Sequence, residues 1–178
     1  MKKLASQILM ACLVVLLVQG LAWGQSLWQN TTYGMSVEQV SHLIPGCITP
    51  AEEDQETLAG GARELLRLPD VTIVGKEFHA RFFFADGRLV QVMLHHQENR
   101  GFPYVRITFD SVTEVLRAKY GPELTRKLNI GGIVNESASA SWLSDRTNIS
   151  VLAWGAKDSP AGLNINYQVR IAKEADKL

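Results

Sequence analysis

The stretch Lys76-Glu77-Phe78-His79-Ala80-Arg81-Phe82-Phe83-Phe84-Ala85-Asp86-Gly87-Arg88-Leu89-Val90-Gln91-Val92-Met93-Leu94-His95-His96 decides the fold. Aromatic and β-branched residues recur at period two on both sides of Asp86-Gly87, the composition of a β-hairpin with its turn. Two registers compete. A two-residue Asp86-Gly87 loop would pair Phe84 with Leu89 and set Gln91 against Phe82 and His95 against Phe78, mixing polar and apolar side chains on one face. A three-residue loop with Gly87 left-handed would pair Phe84 with Arg88. It would set Phe78, Ala80 and Phe82 opposite Leu94, Val92 and Val90, and Glu77, His79 and Arg81 opposite His95, Met93 and Gln91. The second register gives one buried and one wet face, so it is the one expected.

On the N-terminal side, Ser36 with Gln39 three residues later forms a capping box, and Met35 and Val40 stand at hydrophobic-staple spacing. Val40, Leu43 and Ile44 make one apolar stripe, and Pro45-Gly46 ends this helix. Residues 51–61, with Glu52, Glu53, Asp54, Glu56 and Gly60-Gly61, read as a loop, and Ala62 to Leu68 as a strand closed by Pro69-Asp70. On the C-terminal side, residues 97–104 read as a loop with Gly101 and Pro103. A second capping box at Ser111 and Glu114 opens a helix with Val112, Val115 and Leu116 on its apolar face, stopped by Gly121-Pro122. Period two then returns. Ala138, Ala140 and Trp142 alternate with serines, and Ser144-Asp145-Arg146 turns. Ile149, Val151 and Ala153 alternate with Asn148, Ser150 and Leu152. Leu163, Ile165, Tyr167, Val169 and Ile171 alternate with Asn164, Asn166, Gln168 and Arg170. Helix then strands, twice, defines an α+β class with short helices on an antiparallel sheet. Two tandem α-β-β-β halves (31–98 and 104–172) and a single mixed sheet with two helices on one face both fit.

The first 24 residues read as a secretory signal. Lys2 and Lys3 form the positive region, Leu9 to Val18 the apolar region, and Ala22-Trp23-Gly24 a small-residue cleavage site before Gln25. The competing readings are a membrane anchor and a lipoprotein. The apolar run is short for a span, and most of it follows Cys12 of Leu9-Met10-Ala11-Cys12 where a lipid-attachment motif needs it before. Cleavage leaves residues 25–178 as one exported, periplasmic or secreted domain, no longer an integral membrane protein. It has a slight acidic excess and Cys47 as its one cysteine. Such a chain has no internal disulfide and must be held by its core, which its length allows, since a domain of this size buries roughly two-thirds of its unfolded surface. The full chain of 178 residues balances 18 basic against 18 acidic side chains with 46% hydrophobic residues. Those figures exclude collagen-like, disulfide-dense and low-complexity classes and argue against nucleic-acid binding, which needs a basic excess or stripe.

No nucleophile elbow, metalloprotease, phosphate-loop or dinucleotide motif is present, so no enzymatic activity and no cofactor are expected. Cys47 lacks an evident histidine partner, with His42 five residues before it near a helix end. Two surfaces stand out. Glu77, His79 and His95 share the wet hairpin face and are ligand types for Zn²⁺ or Cu²⁺, competing there with a plain Glu–His cross-strand pair; His96 points to the other face. The outer face of the C-terminal strands carries Ser137, Ser139, Ser141, Asn148, Ser150, Asn164, Asn166, Gln168 and Arg170, with Trp154 on it by parity. Small uncharged hydrogen-bonding side chains cost little to order and desolvate, which suits protein docking, and Trp154 would be its anchor. Trp142 is expected in the core, and Trp28 and Tyr33 as core or lid residues.

Tyr33-Gly34-Met35-Ser36 with Val40 four residues on resembles the opening helix of the small α+β envelope domains typified by the SmpA/OmlA outer-membrane assembly lipoproteins. The β-lactamase inhibitor proteins, built from two such units, are similar. Lys119-Tyr120-Gly121-Pro122, Trp142 and the strand ending near Tyr167 resemble exported bacterial proteins of this size. The resemblance implies the α+β fold and the envelope compartment. This chain departs from it in lacking a well-placed lipid cysteine and a cysteine pair in each half. The function expected is a protein-binding module, an assembly factor or an inhibitor or immunity-type protein whose partner is another envelope or exported protein. The alternative is a metal or small-ligand binder on the Glu77/His79/His95 face.

Overall fold

The computed structural model describes residues 25–131, 135–156 and 158–170. Residues 1–24, where a secretory signal is expected, and residues 171–178 lie outside the described residues. Seven antiparallel strands form one sheet: β1 (Arg63–Ile73), β2 (Lys76–Ala85), β3 (Arg88–Glu98), β4 (Thr125–Asn129), β5 (Glu136–Ser144), β6 (Thr147–Gly155) and β7 (Ala161–Val169). Their spatial order is β1-β2-β3-β7-β6-β5-β4. Helix α1 (Val37–Leu43) precedes β1, and α2 (Phe102–Tyr120) follows β3. Each helix introduces an up-and-down run of strands, and the last strand of each run, β3 and β7, pair at the centre. The fold is α+β, with a wholly antiparallel rather than mixed sheet.

One face of the sheet is the core face. Cross-strand partners Leu66, Phe82, Val92, Tyr167, Ile149 and Trp142 line up across six strands, and all six are buried. Each such side chain contributes roughly 1.5–3 kcal/mol by leaving water. Trp142 satisfies its indole N–H on the Gly121 carbonyl at 3.0 Å. Both helices cover this face: Val40 and Ile44 from α1, and Phe102, Val105, Phe109, Val112 and Leu116 from α2. The N-terminal segment crosses it too. Leu27 is buried and Trp28 packs tilted on Phe82, while Tyr33 is exposed. Thr147 Oγ1 donates to the Ser26 carbonyl at 2.8 Å, tying that segment to β6.

The first capping box forms as read: Ser36 Oγ accepts from Gln39 N–H, and the Gln39 side chain accepts from Ser36 N–H. The second does not. Helix α2 begins ten residues earlier than expected, because Gly101 at φ 91° reverses the chain and Pro103 occupies the first turn, where a missing N–H costs nothing. Ser111 is therefore mid-helix and its hydroxyl donates to the Ile107 carbonyl. The apolar face is correspondingly displaced, and Val115 is exposed. In α1, Leu43 is also exposed, since the short helix turns Val37, Val40 and the cap residue Ile44 to the core instead.

The hairpin register differs from both readings. Asp86 and Gly87 both have positive φ and make a two-residue turn with Ala85 opposite Arg88 and Phe84 opposite Leu89. A bulge between Phe83 and Phe84 then shifts the pairing, giving Phe82–Val92, Ala80–Leu94 and His79–His95. The bulge absorbs the extra residue, so Phe78, Phe82 and Phe84 keep the core face without a three-residue loop. It also moves Val90 off the core face onto the cluster around Phe83. Strand β1 runs through Pro69-Asp70, with Asp70 left-handed at a bulge. As an edge strand it tolerates the missing proline N–H.

Candidate functional site: the outer sheet face

The second sheet face has two unequal parts. Over β1–β3 it is covered by the chain itself. Residues 50–62, an irregular strap with one 3₁₀ turn (Glu52–Asp54), fold back so that Leu58 and Ala62 cover Phe83 and Met93. Phe83 is fully buried although its parity directs it outward. Met93 and Gln91, expected on a wet face, are buried here as well. The sequence carried the signal in the three consecutive phenylalanines: one must point away from the core and needs a cover.

An ionic cluster fastens the strap. Arg67 and Arg81 face each other across β1 and β2, a repulsive arrangement unless neutralised. Glu64, fully buried, accepts from Arg67 Nε at 2.6 Å and Nη2 at 3.0 Å. Glu56 of the strap pairs with Arg81, its own N–H donates to Glu64 Oε2 at 3.3 Å, and Arg67 Nη2 donates to the Asp54 carbonyl at 3.0 Å.

Beyond the strap, from His95 on β3 across β7, β6 and β5, the side chains of this face are half-buried or exposed. One row reads His79, His95, Asn164, Leu152, Ser139, Lys127, and the next Arg81, Met93, Asn166, Ser150, Ser141, Thr125. Gln168 and Asn148 pair in a third row. Gln91 Nε2 donates to Asn166 Oδ1 at 3.3 Å, and Asn166 Nδ2 reaches Ser150 Oγ at 3.5 Å. Ser137, Ser139, Ser141, Asn148, Ser150, Asn164, Asn166, Gln168 and Trp154 all share this face as alternation predicts. Arg170 lies just past the end of β7, exposed, its N–H on the Arg146 carbonyl. Trp154 is 37% exposed and lies flat across Gly162, where a Cβ would fall 2.5 Å from the indole. The glycine thus makes the seat on which the ring rests.

The histidines stand beside Trp154. His95 is 6.3 Å from the indole, centroid to centroid, and its Nδ1 is 2.8 Å from Asn164 Oδ1. Burial pushes the His95 pKa below its ordinary value, partly offset by the Asn164 bond. His79 is the direct cross-strand partner of His95, and Glu77, expected in that place, aligns instead with Thr72 on β1. The bulge is the reason. Glu77, His79 and His95 line one open depression of about 390 Å³. No three His, Cys, Asp or Glu side chains form a metal-binding group among the described residues. His96 lies on the other face as expected, against Phe78, with Nδ1 on the Glu77 carbonyl at 2.8 Å. Cys47 is free and half-buried, and burial pushes its thiol pKa up, away from nucleophilic use.

A separate cavity of about 460 Å³ lies between the N-terminal segment, the end of α2 and the β5–β6 turn. Its lining includes Lys119, Tyr120, Asp145 and Tyr167 but no histidine or cysteine. Lys119 Nζ rests 4.9 Å from the centre of the Tyr120 ring. Burial raises the Tyr167 phenol well above its ordinary pKa. No described helix is long and apolar enough to cross a membrane. No protein-family model, curated protein or solved structure gives a significant match to this chain.

Proposed function

We propose that this protein is an exported, periplasmic protein-binding module of the bacterial envelope, an assembly factor or an inhibitor or immunity-type protein. It docks another envelope or exported protein on the outer face of β3, β7, β6 and β5. The observation that carries this reading is Trp154 seated on Gly162 beside a field of uncharged amides and hydroxyls, Asn164, Asn166, Ser150 and Ser139. A half-exposed aromatic amid small polar groups is the composition of a docking surface: the ring supplies rigid contact area, and the amides adapt their hydrogen bonds. The flanking Leu152, 42% exposed, extends the apolar centre. The N-terminal pattern of Lys2-Lys3 and the following apolar run supports export. The resemblance of Tyr33-Gly34-Met35-Ser36 to the SmpA/OmlA and β-lactamase inhibitor group supports an envelope partner.

The test is capture of the tagged protein from cross-linked envelopes, followed by reconstitution of the identified partner with purified protein. We expect one partner at near-equal amount, with binding weakened at least ~10-fold by Trp154→Ala, as for an aromatic anchor worth more than ~1.4 kcal/mol. Gly162→Ala should have a similar effect by unseating the ring while leaving the strand paired. No stoichiometric partner, or a partner indifferent to both variants, defeats the proposal.

A further inference from the structure

The corrected register places two imidazoles directly opposite each other. We propose that His79 and His95 form a two-imidazole site for a borderline divalent transition metal, Cu²⁺ before Zn²⁺. The inference is independent of protein docking.

Directly paired residues on one face of antiparallel strands have Cβ atoms about 4.5–5.5 Å apart, so both rings can reach one ion. Asn164 prepares one of them. Its Oδ1, 2.8 Å from His95 Nδ1, accepts the ring proton there and fixes the tautomer that leaves the Nε2 lone pair free. This is the arrangement that orients a metal-ligating histidine through its other nitrogen. His79 is exposed, and the depression that both rings line is open to solvent, which gives an ion an entry path and leaves room for water on the remaining positions. Glu77 lines the same depression but stands outside any three-ligand group, so its role is confined to attracting the cation.

The ligand set selects the metal. Two nitrogens with water suit Cu²⁺, Ni²⁺ or Zn²⁺, with Cu²⁺ the tightest in the divalent series; Ca²⁺ and Mg²⁺ require oxygen ligands. Trp154, 6.3 Å from the His95 ring, provides a built-in reporter, because bound Cu²⁺ quenches nearby indole emission.

The experiment titrates Cu²⁺ alone into tag-free protein, following tryptophan emission and the electron paramagnetic resonance spectrum at one equivalent. The expected result is saturation at 1:1 with hyperfine splitting from two nitrogens. His79→Ala and His95→Ala should each weaken binding ~100-fold or more. Asn164→Ala should weaken it ~10-fold, the lower end of the effect of losing an orienting partner. His42→Ala and Glu77→Gln should leave it within threefold. Trp154→Phe should remove most of the quenching but not the spectrum. Unfolding curves of each variant separate loss of the site from loss of the fold. Copper binding that survives the His79→Ala/His95→Ala double variant overturns the proposal, as does a one-nitrogen spectrum. Loss on Glu77→Gln equal to that of the histidine variants replaces it with a three-ligand site and refutes the two-imidazole form.

Discussion

Glu64→Ala tests whether the strap is held by charge. The carboxylate is fully buried and receives three hydrogen bonds: Arg67 Nε at 2.6 Å, Arg67 Nη2 at 3.0 Å and Glu56 N–H at 3.3 Å. Two of them join it to the Arg67 guanidinium, each worth ~1.5–3 kcal/mol, so the gross loss from that pair alone is ~3–6 kcal/mol by the same scale. Part returns, because the Arg67 side chain is 23% exposed and keeps its bond to the Asp54 carbonyl. The net expectation is ~3 kcal/mol, the low end for breaking a buried pair by removing one partner. At a slope of ~2–4 °C per kcal/mol for a domain of this size, that lowers Tm by ~6–12 °C. Arg67 and Arg81 are then left facing each other with only Glu56 between them, so the strap should also loosen. The assay is urea unfolding followed by tryptophan fluorescence, with limited proteolysis of residues 52–61 in native buffer. Glu64→Gln, which keeps volume and one acceptor, should cost about half as much. A loss for Glu64→Ala below ~1 kcal/mol, with unchanged cleavage of the strap, refutes the reasoning. It would assign the strap's attachment to Leu58 and Ala62 on Phe83 instead.

Three further outcomes are expected. Ser36→Ala should destabilise by ~1 kcal/mol through loss of the cap, whereas Ser111→Ala, mid-helix and exposed, should stay within ~0.5 kcal/mol; urea midpoints at constant slope distinguish them. Arg100 hydrogen-bonds the Glu98 carboxylate and holds its pKa at about 2, well below the ordinary carboxylate range. Because the folded value is the lower one, this contribution is full above the unfolded pKa and is lost as pH falls from there toward 2. Glu98→Gln should therefore flatten the acid limb of the stability profile. Cys47 should react with a thiol reagent at neutral pH at least ~10-fold slower than free cysteine, and at the free rate in denaturant; equal rates would show the thiol is not shielded.

The α+β class, the Ser36 capping box, the alternation of β5 to β7 and the core position of Trp142 were legible from local pattern, because each depends on residues a few positions apart or on period-two parity. Parity alone also placed Asn164, Asn166, Ser150 and Trp154 on one face. Tertiary structure decided the rest. Pro103 reads locally as a breaker, but in the first turn of α2, with Phe102, Val105 and Phe109 buried against the sheet, it starts a long helix. The bulge beside Phe84 arises because core packing of Phe82 and Phe84 outweighs a uniform ladder, and it exchanges Glu77 for His79 opposite His95. Parity cannot foresee such a shift, since one extra residue reassigns every pair beyond it. The strap likewise needed Phe83 and Arg81 in place before its leucine and glutamate had anything to bind. Local sequence determined which residues can share a face; only long-range packing decided which of them meet, because that choice rests on the burial of side chains far apart in the chain.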